Sequence, residues 1–497
     1  MSEGWLLAFV FLPIAGAALI PVAEKIAKWL TDTIAVAVLA ALLVGGLALS
    51  GWVREVGSLS FVLPGALPSA QTLYLDSLSL LVLLVINAIA LFALIFSIEY
   101  MKPYGAKARF YALFLLLVTG MNGIVLSHDL FGLYVFLEVA AGSSYALIAF
   151  GLEKQQLEAA FKYLVLSAAA SAMMLLGIAL IFAQTGSLDM KVVSAALASA
   201  GPDRSLLFIA TLFLIGFTFK MAMVPFHAWL PDAYSAAPTP VSATMAGVLS
   251  KAAGVYALAR VFFNVLGIQT LTGFAPALMA LGALSIVTGS ILGLVQTDYK
   301  RLLAFSSVAQ LGYILLAFGI GTPLAFVGAL FHVMNHATSK SLLFLTAGAT
   351  ERATGLRDLN QMGGLGKKMP VTATSSVFGS LAISGVPPLN GFFSKAVIVV
   401  AAVMAGWQTG NTAYYVYALI AVLFSVVTLS YFLKLQRKAF FGLLKEELGK
   451  VKEVGPVMAV PMALLAFLCL ALGLAFPWLY TVLLNPAGAV LTSLMVR

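Results

Sequence analysis

Apolar residues fill this chain in long blocks separated by short polar stretches. A helix needs about 20 mostly apolar residues to cross the hydrocarbon core of a bilayer. Blocks of that kind lie near residues 5–23, 32–52, 74–98, 109–127, 130–151, 160–184, 206–236, 239–263, 272–295, 301–320, 323–349, 371–403, 412–433 and 457–485. The pattern predicts an all-α integral membrane protein with about fourteen transmembrane helices. An even count sets both termini on one side of the membrane.

Two blocks are too long and carry helix breakers. The seventh contains Val224-Pro225, followed by His227, Trp229 and Pro231; the twelfth contains Gly385-Val386-Pro387-Pro388-Leu389-Asn390-Gly391. Proline removes a backbone donor and clashes with the preceding turn. In hydrocarbon the freed carbonyls need protein or water partners. Broken helices in transporters therefore mark ion or substrate sites, whereas an isolated proline kink is the plainer alternative.

The two breaks are part of a longer recurrence. Val224-Pro225 and Val386-Pro387 are 162 residues apart. Val118-Thr119-Gly120 returns as Val287-Thr288-Gly289 and Asp129 as Asp298, both at an offset of 169. Tyr145 with Ala149-Phe150-Gly151 returns as Tyr313 with Ala317-Phe318-Gly319 at 168. The common order and near-constant offset predict two five-helix repeats, helices 4–8 and helices 9–13. Five is odd, so the second copy is inverted. The chain divides into helices 1–3 (1–106), the first repeat (107–263), the second repeat (264–434), and a loop with helix 14 (435–497).

Composition and charge agree with a membrane protein. Hydrophobic residues are 62% of the chain and charged residues 9%, against roughly 25% charged in soluble domains. The net charge of +9 reads as basic loops rather than as a nucleic-acid surface. Eighteen of the 28 Lys and Arg residues fall in the loops after odd-numbered helices. Five, namely Arg54, Lys191, Arg204, Arg260 and Arg497, fall on the other side, and Lys162, Lys220, Lys251, Lys340 and Lys395 lie within spans. The positive-inside rule then sets both termini on the non-cytoplasmic side of the cell membrane. The first block follows Glu3 rather than a basic head, so no cleavable signal peptide is expected. With one cysteine, Cys469, no intrachain disulfide is possible.

Ionisable residues inside the spans carry the candidate chemistry, because a charge at mid-membrane costs about 3 kcal/mol on insertion scales. Glu138 is the one acidic residue deep in a span and is expected to face the bundle interior and pair with a cation. Lys220 precedes the helix-7 break, Lys251 lies mid-helix, and Lys395 follows the helix-12 break. Burial disfavours the charged form of an amine, so a lysine in such a place can exchange protons; snorkelling to an interface is the alternative, best suited to Lys162. His332, His336 and Lys340 are spaced by four on helix 11, one face over about 12 Å. Asn335 and Ser339 widen that stripe. Histidine titrates nearest neutral pH, so such a row can relay protons, with Lys340 either tuning His336 or reaching the polar loop beyond. Hydrogen-bonded packing histidines are the competing explanation; a zinc site lacks a third ligand, so no metal is expected.

The segment Phe219-Lys220-Met-Ala-Met-Val-Pro225-Phe-His227-Ala-Trp-Leu-Pro-Asp232, the helix-5 Glu138, and Phe331-His332-Val-Met-Asn-His336 resemble the antiporter-like subunit family. That family covers the large membrane subunits of respiratory complex I, the Mrp sodium/proton antiporters and the membrane-bound hydrogenases. The resemblance spans about residues 70–435. It implies a Glu138–Lys220 pair, a central relay from Lys251 to His332 and His336, and an exit lysine, Lys395; His227 lies in the same motif. The M-type complex I subunit carries glutamate where this chain has Lys395, and the L-type extends beyond helix 14 into a lateral helix. The chain looks similar to the Mrp D-type and hydrogenase H-type subunits.

These features point to a proton or Na+/H+ translocating subunit of a multisubunit redox-driven pump or Mrp-type antiporter, with other membrane subunits and the bilayer as partners. No cysteine cluster, haem pattern, P-loop or dinucleotide glycine motif is present in the sequence, so no cofactor is expected. Two rivals remain open: a quinone-binding catalytic membrane subunit, and a self-sufficient secondary cation/proton antiporter.

Overall fold

The computed structural model of the chain describes residues 4–62, 72–268, 271 and 273–492. Arg497 and residues 1–3, on which part of the expected topology rests, lie outside them. The described residues are dominated by helices: α1 (Trp5–Ile26), α2 (Lys28–Val56), α3 (Ser77–Tyr100), α4 (Lys107–Leu126), α5 (Leu130–Ile148), α6 (Lys154–Thr185), α7 (Met190–Ala200), α8 (Arg204–Lys220), α9 (Trp229–Ala236), α10 (Thr239–Val265), α11 (Phe274–Val295), α12 (Tyr299–Ile320), α13 (Pro323–Thr354), α14 (Pro370–Ser384), α15 (Asn390–Thr409), α16 (Ala413–Ala439) and α17 (Pro456–Leu474). Among the described residues, twelve helices are long and apolar enough to cross a membrane. The chain is a multi-pass membrane protein.

Two expected spans fall outside that twelve for visible reasons. The seventh is divided between α8 and α9 by the break at residues 221–228, and α13 is long enough but polar along one face. The twelfth expected span is divided between α14 and α15. The last one bends at Ala475 and continues as short turns to Val490.

Helix starts follow from short acidic caps. Asp76, Asp129, Asp203 and Asp298 accept backbone N–H groups from Ser79, Gly132, Leu206 and Arg301 at 2.6–2.9 Å. Each satisfies a donor that the first turn leaves free. Asp129 and Asp298 also form matching isolated bridges to Asp189 and Asp358, and both pairs repeat at the 169-residue offset.

Elements that the hydrophobic pattern alone does not predict lie between the spans. Ser58–Val62 pairs antiparallel with Thr72–Asp76, and α7 is a short helix before α8. Arg260 belongs inside α10, not among loop charges. It is 1% exposed and donates to Asp76 Oδ1 at 2.9 Å.

Helices α10, α12 and most of α13 are buried along their length, while α2 and α16 keep broad exposed apolar faces. A helix buried all round can carry polar side chains only if they meet one another or water. Here α10 packs closely on α13, because a Cβ at Gly247 would collide with Ser341 Oγ. That approach brings Lys251 beside the α13 histidines.

Candidate functional site

The first cluster sits where α5, α6 and α8 meet. Glu138 Oε1 and Lys220 Nζ are 3.7 Å apart. Lys220 donates to Ser167 Oγ at 2.7 Å, and Ser171 Oγ donates to Glu138 Oε1. Ser167 and Ser171 are one turn apart on α6, so a single face of that helix solvates both members of the pair. The Glu138 side chain is 37% exposed, against 2% for Lys220. The carboxylate therefore does not face the bundle interior as its mid-span position suggests. It opens laterally, on the same face of α5 as exposed Phe131 and Val135. The spacing of three and four residues puts all three on one side of the helix.

The break after Lys220 is satisfied from within. Trp229 Nε1 donates to the Phe219 carbonyl at 3.2 Å, and Ser285 Oγ accepts the Val224 N–H at 3.0 Å. Trp229 in turn stacks on Tyr163 of α6 at 4.1 Å. His227 lies half-buried in the break, beside Pro225. Lys162 sits near the end of α6, paired with Glu158 at 2.7 Å and Asp232 at 3.4 Å, as a snorkelling lysine would.

The second cluster surrounds α13. Lys251 lies in a π-helical stretch of α10, Met245–Tyr256, a distortion frequent at functional sites. Its Nζ donates to the Ala246 carbonyl and to Ser250 Oγ. His332 and His336 are wholly buried, with ring centroids 6.3 Å apart. His332 Nδ1 lies 2.9 Å from Ser394 Oγ of α15, and its ring is 5.7 Å from Tyr313. Lys395 Nζ stands 4.8 Å from the same Tyr313 ring and donates to the Ser384 carbonyl at 3.4 Å. The groups thus run Lys251, His336, His332, Tyr313, Lys395 through the buried centre.

Lys340 does not reach a loop. It is fully buried and donates to the Leu303 carbonyl at 2.9 Å, with the Phe432 ring 5.6 Å away. Asn335 donates to the Asn390 carbonyl at 2.8 Å and so ties α13 to the first residue of α15, just beyond the second break.

Several buried polar atoms along this row have no protein partner: both nitrogens of His336, Nε2 of His332, Oδ1 of Asn335, and the side-chain amides of Asn390 and Gln310. Leaving such an atom unsatisfied costs about 1–3 kcal/mol. Their concentration on one row, inside a membrane protein, makes this the part of the molecule where buried polar atoms most need a partner.

The structure brings Glu138 to Lys220, and Lys251, His332, His336, Lys340 and Lys395 into one neighbourhood. Among the described residues no direct hydrogen bond joins the two clusters, although α8 packs on α10. Ser167, Ser171, Ser394, Tyr313 and Gln310 belong to these surroundings and escape a search for charged residues. Their sequence signal is hydroxyls and amides within apolar helices, of which Ser167 and Ser171 also show four-residue spacing.

Comparisons with known proteins agree on one group. A family model described as NADH:quinone oxidoreductase/Mrp antiporter, TM, matches residues 127–425. A second, described as NADH-ubiquinone oxidoreductase (complex I), chain 5 N-terminus, matches residues 62–111. The chain is 38% identical over 380 residues to the N-type NADH-quinone oxidoreductase component of Desulforudis audaxviator, covering 75% of this chain and 73% of that one. It is 33% identical over 427 residues to the D-type Na(+)/H(+) antiporter component of Alkalihalophilus pseudofirmus, covering 85% and 84%. A chain of the membrane-bound sulfane sulfur reductase, an archaeal respiratory membrane complex, superposes with a TM-score of 0.88 at 29% identity, covering 99% and 98%.

Proposed function

Because the chain belongs to the NADH:quinone oxidoreductase/Mrp antiporter transmembrane family, we propose that it is a proton-translocating membrane subunit of a multisubunit complex. The observation that carries this reading is the row of buried titratable groups with unpartnered polar atoms around α13. Water satisfies such atoms at the cost of little entropy, and a hydrated row of amines and imidazoles passes protons by successive exchange. Glu138 and Lys220 form one end of the route, Lys251, His336 and His332 its middle, and Lys395 the other end. Lys340 and His227 flank it.

The same reading gives the chain fourteen spans, with inverted repeats at helices 4–8 and 9–13 and the four-part division at residues 106, 263 and 434. It places the chain in the cell membrane with both termini on the non-cytoplasmic side. A neighbouring membrane subunit covers the α5 face, since Glu138 has 37% of its side chain open and lipid tails cannot solvate it. Relatives named as antiporter and respiratory subunits support that partner class. The parent complex supplies the driving reaction, so the chain itself needs no redox centre.

The test is proton movement by the assembled complex in liposomes, comparing the parent with Glu138→Gln. The substitution removes the charge and keeps the shape, so transport should be abolished with assembly intact. Near-normal pumping by the assembled variant would refute the reading. Stoichiometric labelling by a photoreactive quinone would favour a quinone-binding catalytic subunit instead, and transport by the purified chain alone would favour a self-sufficient antiporter.

A further inference from the structure

A cleft between α14 and α16 belongs to neither titratable cluster. It holds about 420 Å³ and is walled by Val377 and Leu381 of α14, Leu429, Phe432 and Leu433 of α16, and Phe441 just beyond. Leu433 and Phe441 are 51% and 55% exposed, so the cleft opens to the side of the bundle, toward lipid. An apolar slot left empty there forfeits the dispersion contacts of its walls.

One end of the slot is polar. Gln436 is 5% exposed, and its Nε2 donates to Ser376 Oγ and Ser380 Oγ of α14 at 2.8 Å. Its Oε1 has no protein partner. Arg437, also in the wall, is exposed and makes no ion pair among the described residues. Its basic neighbours are engaged, Lys434 with the Leu294 carbonyl and Lys438 with the Asn360 side chain. The Gly366 N–H donates to the Phe440 carbonyl at 2.9 Å, which sets the turn bearing exposed Lys367 against the same end of α16. Helix α16 has 27 residues, or about 40 Å at 1.5 Å per residue, against roughly 30 Å of hydrocarbon. Its last turn, with Gln436 and Arg437, therefore lies at the level of the lipid headgroups.

We propose that this cleft binds one anionic phospholipid whose headgroup carries a free hydroxyl, as phosphatidylglycerol does. An acyl chain fills the apolar slot. The phosphate meets the Arg437 guanidinium, whose fork of donors suits phosphate oxygens, and Lys367 adds positive charge. The headgroup hydroxyl donates to Gln436 Oε1. Basic pockets between spanning helices favour anionic lipids in this way, and a choline headgroup has neither the net charge nor the donor. The bound lipid would brace the contact that Gln436 makes between α16 and α14, the helix that ends at the second break. The site stands independently of proton translocation.

The test uses the assembled complex in membranes containing phosphatidylglycerol or phosphatidylcholine with a photoreactive diazirine on the acyl chain, and maps the labelled peptides by mass spectrometry. Residues 377–381 and 429–433 should take phosphatidylglycerol over phosphatidylcholine by about fivefold. The exposed face of α16 at Val416, Leu419 and Val422 should take both equally. Arg437→Gln should bring the cleft down to the ratio of that open face, and Arg437→Lys should keep most of the preference. Phosphatidylmethanol, equally anionic but without the hydroxyl, should label the cleft less than phosphatidylglycerol. Equal labelling by phosphatidylmethanol would overturn the part given to Gln436. Equal labelling of the cleft by phosphatidylglycerol and phosphatidylcholine, or a ratio that Arg437→Gln leaves unchanged, would overturn the site. So would a cleft without lipid label because a helix of a neighbouring subunit fills it.

Discussion

Lys220 Nζ stands 3.7 Å from Glu138 Oε1, and the pair is unequally buried, the lysine within the bundle and the carboxylate at its side. Removing Lys220 leaves the Glu138 carboxylate without its cation, which costs more than removing both, whereas in Glu138→Gln the amine keeps Ser167 as a partner and can shed its proton. Lys220→Met should therefore reduce the yield of assembled complex more than the double variant Lys220→Met/Glu138→Gln does. Neither should transport protons. Gel filtration of the solubilised complexes reads assembly, and additive losses in the double variant would show that the two side chains do not interact.

The Asp76–Arg260 pair is structural. Burial pushes the Asp76 carboxyl up, but the Arg260 guanidinium and the hydrogen bonds from Ser79 and Arg260 pull harder, and the net effect lowers it below the ordinary 3.8. A depressed carboxyl contributes stability that is present above the unfolded-state value and lost as pH falls through the folded-state value. The pair should hold constant strength from pH 5 to 9, all of it above the carboxyl's titration. Asp76→Asn should lower stability by roughly 3–5 kcal/mol at neutral pH, since it leaves Arg260 buried and unpaired. Thermal unfolding of the purified protein and the variant across that range checks both points; a stability gap between parent and Asp76→Asn that closes between pH 7 and 5 would contradict the assignment to Asp76.

The second break depends on a close backbone approach. A Cβ at Gly391 would strike the Ala382 carbonyl. Gly391→Ala should cost about 1–3 kcal/mol through overpacking. It should also displace Ser394 and Lys395 one turn further on, so transport should fall more than stability does. Equal transport per assembled complex would show that the break tolerates a shift.

Much of this was legible in the sequence, for identifiable reasons. Long apolar blocks read directly as spans because bilayer thickness sets their length. Lys220, Lys251, His332, His336 and Lys395 stand out because ionisable residues in such blocks are expensive. What escaped was set by tertiary contacts. Glu138 read as interior because its span is apolar on every side, and only packing shows which side α6 and α8 cover. Arg260 read as a loop charge because its partner, Asp76, is 184 residues away. Nothing local in the sequence announces the Leu303 carbonyl that holds Lys340, so spacing alone leaves that lysine free to reach a loop. The hydroxyls of α6 and α14 are quiet in sequence, since serine and threonine occur in spanning helices for packing as well as for chemistry.

The histidine row of α13 offers the most direct test of the central claim that protons pass through this chain. Gln keeps hydrogen-bonding capacity but does not take up and release a proton near neutral pH. The measurement is the initial rate of proton translocation by the assembled complex in liposomes for His332→Gln, His336→Gln and the pair together. Each single change should slow the rate by about 100-fold, and the double change should cost little more, because groups acting as one relay fail together. Full rates in both single variants, in an intact complex, would contradict the account and leave α13 as a packed polar seam.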